Sequence, residues 1–361
     1  MNRYRVFSES RWWDRAIQTR VSDRVPCDEG LLRFIVDNRL SLLVCSKQDN
    51  RLLIISANPG GSGCEVTSVV VPDAMGLAAS EGNVVIGAGR FLRVWRDLSE
   101  ANPETSVFVP SITHRIGRCS IHDVAFHPEH HGITFINTLH SSISTLDERA
   151  AFRQVWRPNF IADEGPVDCA HLNGLAYGRS GEVVVTMLAQ SGAAGGWRSE
   201  PVEAGALYDA ASDRPIAEGF WLPHSPVFYG DDLWFLESGR GRLMSHSGRG
   251  HVKVVSELDG LARGLAFHRG KAFVGISRLR ATSGSVFNLL KSKLGDRDRC
   301  GVELVDTADG KTIGSLELTG VSEISSLHCY PKPMVHFLEP GFQDSERTWI
   351  FSESDKEGAA L

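Results

Sequence analysis

Three histidines have the surroundings expected of residues that do chemistry, because each lies in a short apolar segment beside other polar side chains. The segments are Ile121-His122-Asp123-Val124, Ala170-His171-Leu172-Asn173 and Pro223-His224-Ser225-Pro226. Neutral imidazole is a good ligand for zinc, iron, manganese and nickel. Three histidines around one ion leave a coordination position open for water or substrate, as in catalytic metal sites. These segments therefore predict a catalytic metal site if the fold brings them together.

A repeated pair of short apolar strands provides the elements that would position these histidines. The first strands are aligned at Gly76, Asp123, Gly174, Ser225 and Gly264, with spacings of 47, 51, 51 and 39 residues. Such a period, with several short strands in each repeat, is typical of β-propellers. Helical solenoids share the period, but these segments are β-branched and aromatic and lack a 3.6-residue periodicity. The pattern predicts an all-β, six-bladed β-propeller.

The sixth repeat is divided between the two ends of the chain. Residues 326–330 resemble an innermost strand that no second strand follows, and residues 41–45 and 51–55 resemble later strands that no first strand precedes. We expect them to form one blade, which would leave no exposed sheet edge inside the ring. The predicted organisation is an N-terminal extension at 1–35, a propeller at 36–337 and a C-terminal tail at 338–361.

The alignment of the repeats places the histidines at two levels of a central channel. Alternate residues of a strand share a face, and the innermost strands of a propeller line its channel. The residues just before the aligned positions are Met75, His122, Asn173, His224, Arg263 and Ser325. The residues two positions earlier are Asp73, Ser120, His171, Leu222, Leu261 and Glu323. So many polar groups indicate ligands or hydrogen-bond partners, since an unpaired buried polar group costs free energy.

The two levels and the nearby segments supply candidates for each role. His122, His171 and His224 are the candidate ligands of a divalent transition metal, which would be zinc, iron or manganese. The candidate catalytic residues are Arg263, Glu323 and Asp123; the carboxylates could move a proton or orient a ligand, and the arginine could hold an anion. The candidate substrate-binding residues are Asn173, Asn137, Trp197, Arg198, Glu237 and Arg278. The alternative is that the histidines bind only water and backbone groups.

Two long irregular segments, residues 189–205 and 278–299, each follow a second strand. Antiparallel strand order places them at the face where the innermost strands begin, so we expect them to cover the histidines. Long loops of this kind are often functional. Trp197, Arg198 and Arg280 could then reach a ligand, or they could simply cover the rim.

The sequence around these residues resembles a bacterial family of conserved hypothetical, propeller-like proteins. The resemblance rests on Ile121-His122-Asp123-Val124-Ala125-Phe126, Cys169-Ala170-His171-Leu172-Asn173-Gly174-Leu175-Ala176, Leu222-Pro223-His224-Ser225-Pro226 and Ala262-Arg263-Gly264-Leu265-Ala266-Phe267. It covers roughly residues 35–335 and implies the fold and the site but no particular activity. A looser similarity is to six-bladed propeller lactonases, which hold calcium, and to propeller lyases, which hold zinc through three histidines with an arginine nearby. The histidine set here is closer to the second group.

Composition excludes several kinds of partner. The 361 residues carry a net charge of −6 without a long basic run, which argues against nucleic acid. No apolar stretch would span a bilayer or form a signal peptide, so we expect a cytoplasmic protein without a membrane partner. The seven cysteines form no CxxC pair and are predicted to be reduced.

The sequence therefore favours a metal-dependent lyase or hydrolase that acts on a small polar, anionic or peptide-like molecule in the channel. The alternatives are a non-catalytic ligand-binding propeller and a protein-interaction scaffold, because propellers serve all three roles.

Overall fold

The strands of this chain form six sheets around a common channel. The computed structural model describes residues 4–6, 23–58, 60–80, 82–99, 102–162, 165–248, 250–279, 288, 291–292, 295, 299–338 and 351–353. Each sheet contains a four-stranded antiparallel blade, and the innermost strands of neighbouring blades contact one another around a closed ring. The prediction of a six-bladed β-propeller is confirmed.

The blades, numbered I to VI around the ring, are given with their strands from the channel outward. Blade I contains Ser326–Tyr330, Ser41–Ser46, Arg51–Ala57 and Cys64–Val70. Blade II contains Ala74–Ser80, Asn83–Ala88, Phe91–Asp97 and Thr105–Arg115. Blade III contains Ile121–Phe126, Ile133–Asn137, Ser142–Thr145 and Arg153–Trp156. Blade IV contains Leu172–Tyr177, Val183–Met187, Gly205–Asp209 and Arg214–Phe220. Blade V contains Pro223–Tyr229, Asp232–Glu237, Arg242–Ser247 and Val252–Glu257. Blade VI contains Leu261–His268, Lys271–Ser277, Gly301–Asp306 and Thr312–Glu317.

Blade I is built from both ends of the chain, as predicted. Its innermost strand pairs antiparallel with Ser41–Ser46, and Leu327 lies opposite Val44. A fifth strand, Asp23–Val25, covers the outer edge of this blade. The strand Met334–Phe337 covers the outer edge of blade II in parallel orientation. Because unpaired edges invite association with other chains, both additions protect the ring.

The remaining elements are short. Strands Tyr4–Val6 and Phe351–Glu353 pair with each other, and 3-10 turns span Thr138–His140, Gly196–Arg198, Val202–Ala204 and Ser238–Arg240. The helix Glu29–Asn38 buries Leu31 and Ile35 against the outer strands of the propeller and ends where Arg39 turns left-handed. The predicted boundary after residue 35 falls within this helix, and the division into domains otherwise stays a prediction. No helix in these ranges is long and apolar enough to cross a membrane.

The core lies between the blades, which explains the continuous apolar character of the second strands. Each second strand is covered on both faces by neighbouring blades, so it lacks the alternation of a half-exposed strand. Three phenylalanines in these strands, Phe135, Phe235 and Phe273, are fully buried. Large aromatic side chains contribute much of the packing energy at such interfaces.

The aligned position of the innermost strand alternates between glycine and a polar residue because the channel is crowded. A Cβ atom at Gly76 would lie 2.8 Å from the backbone of Asp123, and one at Gly174 would lie 2.3 Å from the ring of Pro226. Blades II, IV and VI therefore carry glycine where the next blade approaches. In blades II to VI the pairing register also shifts at this point. Such bulges change the direction of neighbouring side chains.

Candidate functional site

A cavity of about 330 Å³ occupies the central channel. Its polar lining at the entrance of the innermost strands consists of His122, Asp123, Asn173, His224, Ser225 and Ser325. This set includes both histidines of the first predicted level. A volume of this size suits a small molecule rather than a folded partner.

The imidazole of His122 is held in one tautomer by its neighbours. Its Nδ1 lies 3.0 Å from the carbonyl oxygen of Ser120 and 2.7 Å from the hydroxyl oxygen of Thr138. The carbonyl can only accept, and the Thr138 hydroxyl donates its own proton to the carbonyl of Leu172 at 2.6 Å. Nδ1 must therefore carry the proton, which leaves the lone pair on Nε2.

His224 repeats this arrangement two blades further on. Its Nδ1 lies 2.8 Å from the carbonyl oxygen of Leu222 and 3.1 Å from the hydroxyl oxygen of Ser238. The Ser238 hydroxyl donates to the carbonyl of Ala262 in the next blade. The lone pair of His224 is therefore also on Nε2.

In His171 a carboxylate is the acceptor that faces Nδ1. Its Nδ1 donates to Oδ2 of Asp168 at 2.7 Å, and Oδ1 of Asp168 accepts from the His171 backbone N–H. Left-handed backbone at His171, with a φ of 51°, turns its side chain toward blade III. Its ring lies edge to face against that of His122, with centroids 4.7 Å apart. In all three predicted ligands Nδ1 therefore faces a fixed acceptor.

The irregular segment at residues 189–205, which was predicted to cover the histidines, does reach this site. The ring of Trp197 lies 4.2 Å from that of His171, and its Nε1 donates to Oδ2 of Asp168. The backbone N–H groups of Gly195 and Trp197 donate to the carbonyls of Asp168 and Cys169, which fixes the loop at the channel entrance. One carboxylate therefore orients both the histidine and the indole that covers it.

A buried ion pair lies close to the histidines. Nη1 of Arg263 donates to Oε1 of Glu323 at 2.6 Å, and their side chains are only 11% and 4% exposed. Burial lowers the pKa of His122 well below its usual value, and the positive charges of Arg263 and Lys47 lower it further. His122 is therefore neutral at pH 7, as a metal ligand or a proton acceptor must be.

Asp123 connects two blades at the cavity wall. Its Oδ1 accepts from the backbone N–H of Val124, and its Oδ2 accepts from that of Leu175 in blade IV. Burial raises its pKa to about 7, although the two amides and Arg263 oppose the shift. This carboxyl can gain or lose a proton near neutral pH.

Asn173 presents an amide to the cavity. Its Oδ1 accepts from the hydroxyl of Thr186 at 2.6 Å. Its Nδ2 is buried without a hydrogen-bond partner among the described residues, and Asn173 is only 4% exposed. A buried, unused donor at the wall of a cavity is suited to a ligand oxygen, because leaving it unpaired costs about 1–3 kcal/mol.

The other predicted binding residues are not gathered at the cavity. Asn137 is buried within blade III, where it contacts His140 and Ser144. Glu237 accepts from the Trp221 backbone and from Arg240. Both end a second strand, one layer outside the channel, and the sequence alone does not separate that position from the lining.

Two of the three arginines predicted in the covering segments, Arg198 and Arg278, lie in the described parts of the chain. Arg198 lies exposed over the Trp197 ring, 4.1 Å from its centroid. The backbone N–H of Arg278 donates to Ser322, and the side chain is half-buried. Arg280 falls outside the described residues.

In the part of the chain that the structure describes, no three His, Cys, Asp or Glu side chains converge closely enough to hold one metal ion as they stand. The pair formed by His122 and His171 is the observed unit, and His224 lines the same cavity from a more distant blade. The three-histidine metal centre therefore stays a prediction.

Sequence reasoning missed the residues that orient the histidines. Thr138 and Ser238 each follow the second strand of a histidine-bearing blade, so extending the repeat alignment by one strand would have shown a shared hydroxyl. Asp168 lies three residues before His171 and has no counterpart in the other blades. Its role could be found only from the folded chain.

Comparison with known proteins agrees with this architecture. Residues 29–335 match the family described as "Domain of unknown function (DUF4915)", so the chain belongs to this family of six-bladed propellers. The chain matches none of the curated protein sequences with which it was compared.

Solved structures share the fold at low identity. A chain of a nidogen/laminin complex is 11% identical, with a TM-score of 0.54 over 81% of this chain and 99% of that chain. A protein of unknown function from Bacteroides caccae is also 11% identical, with a TM-score of 0.53 over 81% of this chain and 98% of that one. A gluconolactonase from Xanthomonas campestris is 13% identical over 84% and 90% of the two chains, at a TM-score of 0.47.

Proposed function

We propose that this protein is a lyase or hydrolase that acts on a small anionic or polar molecule at the entrance of its central channel. We further propose that the site uses a divalent transition metal ion bound by Nε2 of His122, His171 and His224. The observation that carries the proposal is the common tautomer of the three histidines. In each one a fixed acceptor holds the Nδ1 proton, and metal-ligating histidines in proteins have the same support.

The donor set fits zinc, iron or manganese. His122 and His171, which are neighbours, would provide two nitrogens, and His224 would provide the third. When bound, such an ion would supply Lewis-acid polarisation of a substrate oxygen. Asp168, Thr138 and Ser238 would support the three ligands by keeping each Nδ1 protonated.

The protein's own residues account for binding and proton movement. Arg263, oriented by Glu323, places a positive charge near His122 and would attract a carboxylate, a phosphate or a developing oxyanion. The Nδ2 group of Asn173 would donate to another substrate oxygen. Asp123 lines the cavity and has a pKa of about 7, so it suits a step in which a proton is taken up and returned.

Metal content tests the proposal first. Protein purified without a histidine tag or chelators would be analysed for bound elements and then titrated calorimetrically with Zn²⁺ and Mn²⁺. We expect about one ion per chain and a loss of at least tenfold in affinity for His122→Ala, His171→Ala or His224→Ala. His251→Ala, which removes an exposed imidazole, is the matched control. Equal affinity in all four variants, or no binding to the wild type, would overturn the metal site.

Activity then separates an enzyme from a binding protein. The metal-loaded protein would be incubated with small lactones, carboxylates and phosphate esters, and products would be followed by mass spectrometry. Turnover that is lost in Arg263→Gln but retained in Arg214→Gln, at an exposed arginine of the outermost strand of blade IV, supports the proposed chemistry. Saturable binding that depends on Asn173, without turnover, would instead favour the non-catalytic ligand-binding propeller.

A further inference from the structure

Two cysteines far apart in the sequence lie almost within bonding distance at the outer edge of the propeller. The Cys64 thiol donates to Sγ of Cys27, and the two sulfur atoms are 2.9 Å apart across 37 positions of sequence. This separation is only about 0.9 Å longer than the roughly 2.05 Å of a disulfide bond. Both cysteines are reduced in this structure. The pair lies outside the channel and takes no part in the proposed catalytic site.

The segment that carries Cys27 crosses the seam where the ring closes. Strand Asp23–Val25 pairs with the outer strand of blade I, and Val25 lies opposite Cys64. Cys27 then forms an isolated bridge with Leu316 in blade VI. Asp28 follows with a backbone hydrogen bond to Ser315 of the same blade. This strap, residues 23–28, therefore spans the junction between the last complete blade and the blade made from both ends.

The two thiols differ in reactivity. Cys64 is fully buried, and burial together with the adjacent Cys27 raises the pKa of its thiol. Cys27 is partly exposed at the edge of the same hydrophobic cluster. The thiolate is the reactive form and needs access to an oxidant, so Cys27 is the thiol that reacts first.

We propose that Cys27 and Cys64 form an oxidation site that closes a disulfide between the strap and blade I. With hydrogen peroxide as oxidant, the Cys27 thiolate attacks one oxygen to give a sulfenic acid and releases hydroxide. The Cys64 sulfur then attacks Cys27, forms the S–S bond and displaces the second oxygen as water. Two thiols are oxidised and one peroxide is reduced to two waters. Little movement is needed, because the sulfur atoms are already adjacent.

Thiol counting and peptide mapping test the site. After stoichiometric peroxide, the unfolded wild-type chain should show five reactive thiols instead of seven. Non-reducing digestion should give one cross-linked product that joins the peptides of Cys27 and Cys64. Cys27→Ser and Cys64→Ser should lose this product, whereas Cys329→Ser, which removes another partly exposed thiol, should keep it.

The thermal stability of the oxidised protein provides a second test of the disulfide. The cross-link closes a long loop and removes freedom from the unfolded chain, so the Tm of the oxidised wild type should rise by several degrees. Cys27→Ser under the same oxidant should show no rise. A full set of thiols after oxidation, a cross-link between other cysteines, or Cys27 oxidised to sulfinic acid without a bridge would each overturn the proposal.

Discussion

The hydroxyl oxygen of Thr138 lies 2.7 Å from Nδ1 of His122, so a side chain at the end of a second strand fixes the tautomer of a channel histidine. The same hydroxyl donates to the carbonyl of Leu172 in the next blade. Ser238 does this for His224 and Ala262. The protonation pattern of the channel is thus coupled to the contact between blades, and a change at that contact should alter both.

Thr138→Val should therefore weaken both the metal site and the fold. The Leu172 carbonyl loses its donor, which should cost about 1 kcal/mol of unfolding free energy. With only the Ser120 carbonyl left to hold the Nδ1 proton, the tautomer of His122 should be less firmly fixed, and metal affinity should fall about tenfold. Urea unfolding and nitrogen-15 NMR of the imidazole measure the two effects. Thr138→Ser keeps the hydroxyl and should resemble the wild type; equal losses in both variants would contradict the proposed role of the hydroxyl.

Asp168→Asn should act on His171 and Trp197 together. The amide is a weaker acceptor for Nδ1–H and for the indole N–H, so both rings should lose their fixed positions. We expect metal affinity to fall by about 10–100-fold and tryptophan fluorescence to become more accessible to iodide. Asp213→Asn, at a half-buried turn outside the channel where the carboxylate accepts from the Asn159 backbone, serves as the control. An unchanged affinity in Asp168→Asn would show that the carboxylate does not support a ligand.

Replacing one partner of the ion pair between Arg263 and Glu323 should destabilise the fold more than replacing both. Replacing either partner by alanine leaves a buried charge, which typically costs about 3–5 kcal/mol. The double variant Arg263→Ala with Glu323→Ala should recover part of this loss. Chemical unfolding of the three variants in a double-mutant cycle gives the coupling. Additive losses would indicate that each residue acts through other contacts.

His122 should remain neutral well below pH 6.5. Its pKa is depressed, mainly by burial, so the folded chain binds fewer protons here than the unfolded chain at acid pH. The stability contributed by the neutral form is therefore present above the unfolded pKa of about 6.5 and lost as the pH falls below it. The Cε1–H signal of His122 in proton NMR should not move through pH 6.5. A His122 midpoint near 6.5 would contradict this assignment.

The contribution of Asp123 to the unfolding free energy should change with pH in the opposite direction to that of His122. Its pKa is raised by burial to about 7, so between about pH 4 and pH 7 the folded chain holds a proton that the unfolded chain has lost. This contribution is complete below pH 4 and declines as the pH rises to 7. Each pH unit between the two pKa values corresponds to about 1.4 kcal/mol. Asp123→Asn cannot ionise, so unfolding profiles should lose this component, although one amide hydrogen bond is also lost.

The architecture was predictable because it repeats. Strand pairs at a near-constant spacing, and the incomplete copies around Ser41 and Ser326, contained the information for six blades and for their closure. The first level of the site followed from the same register, since His122, Asn173 and His224 do line the cavity.

The finer geometry depended on backbone features that the strand pattern does not show. Left-handed backbone at His171, which recurs at Asp73, Ser120 and Leu222, and the bulges of the innermost strands set the direction of each ring, although neither is visible in the sequence pattern. These depend on contacts between blades rather than on alternation along a strand. The register of the innermost strands did not include Asn137, Glu237 or Asp168, so it could not show where these side chains lie.

Blade I also has a consequence for how the protein is made. Its strand Ser41–Ser46 is synthesised long before its partner Ser326–Tyr330, because about 280 residues separate the two strands. Until then the nascent chain holds five blades and an open seam with unpaired backbone groups on both sides. Contacts so distant in sequence form slowly. Ring closure therefore requires that residues 326–330 have been synthesised, and truncation before residue 326 should yield an aggregation-prone chain rather than a smaller propeller.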